Sequence, residues 1–82
     1  MRREFEDLGQ VILKQSGEFD AVDARLTYDG QTLFLNIGKS YLNFDGEFAP
    51  CPGRLMLAVD ETLLLNLKLL MELIDDTSKD II

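Results

Sequence analysis

The stretch that decides the fold is Val22-Asp23-Ala24-Arg25-Leu26-Thr27-Tyr28-Asp29-Gly30-Gln31-Thr32-Leu33-Phe34-Leu35-Asn36-Ile37. Apolar and polar residues alternate on both sides of Asp29-Gly30, and an Asp-Gly pair supplies the positive φ angles of a two-residue type I′ turn. With Tyr28 opposite Gln31, Leu26 meets Leu33, Ala24 meets Leu35 and Val22 meets Ile37, which makes one continuous apolar face. The other face then carries Thr27 with Thr32, Arg25 with Phe34, and Asp23 with Asn36. A slip of one residue would bring Asp23 and Arg25 into the apolar set, so turn chemistry and alternation predict a single register.

C-terminal to this hairpin, Asp45-Gly46 repeats the turn signal between Tyr41-Leu42-Asn43-Phe44 and Glu47-Phe48. Pro50 and Pro52 remove ladder donors, so the second arm is expected to be short, with 49–53 an exposed loop. Arg54 to Val59 reads as an inner strand. Asp60 is placed to cap a helix from about Glu61 to Asp76, a segment of good helix formers without Gly or Pro, followed by a short tail from Thr77 to Ile82.

On the N-terminal side, residues 3 to 15 read as an amphipathic helix with Phe5, Leu8 and Ile12 on one stripe and Gly17 ending it. Gly9 in its interior costs about 1 kcal/mol relative to alanine. The alternative is an extra strand from about Gln10 to Gln15, turned at Ser16-Gly17, with Val11 opposite Val22 and Leu13 opposite Asp20. The predicted fold class is therefore α+β, one domain over residues 1–82. An antiparallel sheet of three to four strands is built on the central hairpin, with an N-terminal helix or an extra strand and a C-terminal helix covering one face.

Composition closes several functional classes. The chain has no histidine and one cysteine, Cys51, so neither an internal disulfide nor a tetrahedral zinc site can be assembled, and nucleophile catalysis with a histidine base is excluded. Cys51 stands between two prolines with no basic cluster in sequence to lower its pKa, and reads as a loop cysteine without a role. Fifteen acids against eight bases give a net charge of −7, which repels nucleic-acid backbones. Arg2-Arg3 is the only adjacent basic pair, and the aromatics are not interleaved with basic residues.

The charged start from Met1 to Asp7 does not read as an export signal. The apolar stretch from Leu55 to Ile74 is broken by Asp60, Glu61, Lys68 and Glu72, so no membrane span is expected. A single thiol and no visible targeting segment make the cytoplasm the expected compartment.

Remaining chemical motifs are weak. Asp20 with Asp23, and Asp75 with Asp76, read as solvated acids, because an acid-rich surface produces close pairs by chance. Neither Asp-Gly turn is set in an alternating acidic calcium loop. Gly38-Lys39-Ser40 lacks the earlier glycine of a phosphate-binding loop, since that position is Leu33, and reads as a turn or bulge. No catalytic residue, metal ligand or cofactor is assigned.

The C-terminal helix carries more information. Leu63, Leu67, Leu70 and Ile74 fall on one stripe, suited to covering the sheet. Leu65, Leu69 and Leu73 form a second stripe bordered by Asn66, a residue of the kind that fixes register between paired helices. One sheet does not cover both stripes, so a second neighbour is expected: the N-terminal helix, another copy of the chain, or a different protein. The expected function is a non-catalytic protein–protein interaction module that self-associates as a homodimer, with Leu65, Asn66, Leu69 and Leu73 as its interface. The rival classes are an acidic inhibitor that mimics nucleic acid in a basic groove, and an enzyme relying on carboxylates with Lys or Arg.

Overall fold

The computed structural model describes residues 4–81; the Arg2-Arg3 pair and Ile82 lie outside them. Five strands and one helix follow in the order β1 (Glu6–Gln15), β2 (Asp20–Tyr28), β3 (Leu33–Leu42), β4 (Phe48–Pro50), β5 (Leu55–Ala58) and α1 (Glu61–Ile81). All pairings are antiparallel, with β1, β2, β3 and β4 adjacent in that order and β5 paired to β3 beside β4.

The expected N-terminal helix is replaced by β1, which pairs along β2 from Glu6↔Tyr28 to Gln15↔Ala21. The helical stripe loses because β2 offers a long edge that satisfies the backbone of this segment, while Gly9 weakens the helix. The extra-strand alternative has the right element in a different register: Val11 faces Ala24, and the register shifts twice, between Asp7 and Gly9 and between Ile12 and Lys14. These bulges absorb the breaks in alternation that made the segment resemble a helix, and they add curl to the strand.

The central hairpin forms, two residues out of the expected register. Tyr28 faces Leu33, Leu26 faces Leu35, Ala24 faces Ile37 and Val22 faces Lys39. The turn is centred one residue later than Asp29-Gly30. Asp29 closes it from outside, its Oδ1 accepting the amides of Gln31 at 2.9 Å and Thr32 at 2.7 Å, while Gly30 takes the positive φ of 95°. Because the displacement is two residues, every side chain keeps its face.

In the second hairpin, Asn43 Oδ1 accepts the amides of Asp45 and Glu47, Gly46 has a φ of 80°, and Leu42 faces Phe48. The returning arm, β4, is three residues long and takes in Pro50. Cys51 follows half-buried, with its amide donating to the Lys39 carbonyl, so this part of the expected loop is held to the sheet. The strand over 54–59 pairs with β3 alone and is an edge strand, not an inner one.

Gly38 is neither turn nor bulge: it lies in regular β3 opposite Asp23. A Cβ there would sit 2.8 Å from Arg54 Cγ and 3.3 Å from Arg54 Cα, so glycine is what lets Arg54 cross the sheet. Gly38→Ala is expected to cost about 1–3 kcal/mol, as overpacking does, read as a lower urea midpoint with an unchanged slope.

Asp60 caps α1 as expected, its Oδ1 accepting the Leu63 amide at 2.8 Å. The helix continues past Asp76 through the expected tail to Ile81, helped at its end by the Asp75–Lys79 pair at 3.3 Å. It does not cover the sheet. None of its residues is buried, and it has no packed interface with any strand.

Candidate interaction surface

The two faces of the curled sheet differ sharply. Its inner face holds a buried charge cluster flanked by the apolar side chains of Phe34, Leu42, Phe48 and Met56, which share its register. Asp23 is fully buried and held from three directions: Gln10 Nε2 donates to Oδ2 at 2.7 Å, Arg25 Nε donates to Oδ2 at 2.8 Å, and Arg54 Nη2 lies 2.6 Å from Oδ1. Arg25 reaches on to Asp7 at 3.1 Å and to the Phe48 carbonyl at 2.6 Å. Arg54 also donates to the Asn36 side chain and to the Lys39 carbonyl at 2.7 Å. Through Gln10, Arg25 and Phe48 the network ties β1 to β4 across the inside of the curl.

Burial by itself raises the Asp23 pKa. The hydrogen bonds from Gln10, Arg54 and Arg25, with the charge of Arg54, outweigh it and hold the carboxyl below its ordinary value of 3.8. The Asp23 carboxylate therefore stays ionised at neutral pH. With its hydrogen bonds turned inward, it acts as the structural centre of the sheet.

The outer face is apolar and open. Val22, Ala24 and Leu26 of β2 meet Leu35 and Ile37 of β3, and Val11, Leu55 and Leu57 extend the patch through the pairings of β1 and β5. Leu26, Val11 and Leu55 are exposed, while Val22, Ala24, Leu35, Ile37 and Leu57 are half-buried. Among the described residues the only buried hydrophobic side chain is Ala21. The uncovered apolar surface is thus the wide face of the sheet together with α1.

The interface residues expected from sequence all lie on α1 and are exposed: Leu65 is 59% exposed, Leu69 51% and Leu73 62%, with Asn66 exposed between them. The structure brings nothing against them. The stripe assigned to an ordinary core contact is equally open, with Leu70 and Ile74 exposed and Leu63 and Leu67 half-buried. The sheet face was legible in the alternation of Val22 to Ile37. Its being uncovered was not, because α1 was expected to cover it.

The uncovered area can be sized. A compact monomer of 9.3 kDa exposes about 5,000 Å². This chain exposes 6767 Å², an excess of about 1,800 Å² over that compact reference. Its radius of gyration is 15.0 Å, where a compact chain of this length has about 12 Å.

No protein-family model, no curated protein and no solved structure matches the chain. What the fold and surface define is a small α+β domain: a curled antiparallel sheet closed on a buried charge cluster, with an unpacked amphipathic C-terminal helix. No helix among the described residues is long and apolar enough to cross a membrane, and none of their acids and cysteine gather into a set that could hold a metal ion.

Proposed function

We propose that the chain is a non-catalytic protein–protein interaction module that self-associates as a homodimer and works in the cytoplasm, with Leu65, Asn66, Leu69 and Leu73 of α1 in the contact. The observation that carries this reading is the exposed apolar surface of α1 together with a total accessible area larger than that of a compact chain. Two copies each hiding an excess of about 1,800 Å² would bury about 3,600 Å² together, within the 2,000–5,000 Å² range of obligate homodimers. An amphipathic helix with no buried residue has little to stabilise it, since most helical stability in proteins comes from packing an apolar face. Association supplies that packing. The one charge cluster that is well built is consumed by internal hydrogen bonds, which leaves the chain no evident acid or base for catalysis on its inner face.

The test is thermal unfolding followed over a hundredfold range of protein concentration. If folding and association are coupled, mass action raises the midpoint by several degrees across that range. A midpoint independent of concentration contradicts the reading. Steep loss of association with rising salt would instead favour an acidic surface meeting a basic partner, because apolar contacts are screened little.

A further inference from the structure

The geometry points to a reciprocal dimer in which α1 of each copy lies along the outer sheet face of the other. This rests on the self-association proposed above and adds its architecture: the occupant of the sheet face is the second copy's helix.

The connector explains why the helix does not cover its own sheet. Only Val59 and Asp60 separate β5 from α1, and both ends are tied. The Val59 amide donates to the Leu33 carbonyl at 2.8 Å, and the Asp60 carboxylate and carbonyl accept the amides of Leu63 and Leu64. The two-residue link and the Val59 anchor leave α1 little freedom to turn back over β2 and β3, while the Asp60 cap travels with the helix. A second copy meets no such restriction.

Dimensions agree with this docking. The 21 residues of α1 span about 31 Å. The nine and ten residues of β2 and β3 extend about 30–33 Å, so one helix can run the length of the face. The arc of Leu63, Leu67, Leu70 and Ile74 is wide enough to seat on a sheet and would meet Ala24 and Ile37 at the centre of the patch. One end of that patch is basic, because Lys14 and Lys39 both flank Val22 on the outer face. The helix from Glu72 onward is acidic, with Asp75, Asp76 and Asp80 against the single Lys79. Those acids lie about 100° or more round the helix from the arc that faces the sheet, so they border the docked face in water and do not seat on the lysines. The second stripe, Leu65, Leu69 and Leu73, is then left to meet the other helix across the two-fold axis.

The test uses cysteine variants in a Cys51→Ser background, with the solution mass of each recorded first. One preparation carries Ala24→Cys, another Leu67→Cys, and the two are mixed and treated with a short thiol-to-thiol cross-linker. The expected result is a dimeric mass and a cross-linked pair containing one chain of each kind. A dimer in which only two Leu67→Cys chains link to one another overturns the reciprocal docking and leaves self-association through helices standing. An internally linked monomer from the Ala24→Cys/Leu67→Cys double variant, with no mixed pair, overturns the docking because α1 then folds onto its own sheet. A monomeric mass at every concentration overturns self-association itself.

Discussion

Asp23→Ala is expected to unfold the chain at neutral pH or bring it to the edge of unfolding. The substitution removes the only carboxylate between Arg25 and Arg54, whose side chains are 12% and 8% exposed, and strips Gln10 of its partner. Breaking a buried ion pair from one side costs about 3–5 kcal/mol, because the remaining charge stays buried without compensation. Here Arg54 is left without a carboxylate and Arg25 keeps only the exposed Asp7, and a small domain has only about 5–15 kcal/mol in total. Circular dichroism and urea titration of the variant check this; a midpoint within error of the parent would mean that the cluster is dispensable. Asp23→Asn keeps the shape and loses the charge, and should fall between the two.

The same residue sets an acid response with a definite sign. Its folded-state pKa is lowered below 3.8, so its contribution is fully present above the unfolded value and is lost as pH falls through the lowered folded value. Stability should hold level through neutral pH and decline below about pH 4, and that part of the decline should be absent in Asp23→Asn.

The second large effect is expected for Leu69→Asp. Leu69 sits midway along the stripe of Leu65 and Leu73 and is half exposed in the isolated chain, so the substitution meets no clash within one copy. In a dimer it places a carboxylate in an apolar contact with no partner. Leaving a charge desolvated costs several kcal/mol, and about 3 kcal/mol already corresponds to a weakening of more than a hundredfold. Sedimentation of the variant should therefore show monomers at concentrations where the parent is dimeric, with the β-sheet signal retained and the helical signal reduced. Unchanged association would remove this stripe from the interface.

The sequence disclosed those parts of the fold whose signals are local. Alternation through Val22 to Ile37 identified the hairpin and its two faces, and Asp60 with the run of Leu, Met, Lys and Glu marked the start of α1. Displacement of the hairpin by two residues was hidden because alternation has a period of two and cannot distinguish the registers; only Asp29 folding its carboxylate over the amides of Gln31 and Thr32 decides between them. In β1 the two bulges disrupted alternation and imitated a helical stripe, so the deciding term was the long-range pairing with β2. The interior was the least legible part. Asp23 and Arg25 fall on what reads as the solvent face, and their burial depends on Arg54 arriving from a distant strand across Gly38, which no local pattern encodes. Opposite charges two residues apart on one strand face were the available clue.

For the candidate surface, periodicity alone showed that α1 carries more apolar residue than one neighbour can cover. What it could not show was that the helix buries none of its residues against the described part of its own chain. That depends on the two-residue link from β5 and on the β1 segment becoming a strand, which removed the N-terminal helix as an intramolecular cover.

The central claim is that the chain completes its core with a second copy of itself. The most direct measurement is the solution mass by sedimentation equilibrium over a hundredfold range of concentration. The account predicts a species of twice 9.3 kDa that dissociates only on dilution. A mass of one chain throughout, with α1 fully helical, would contradict it.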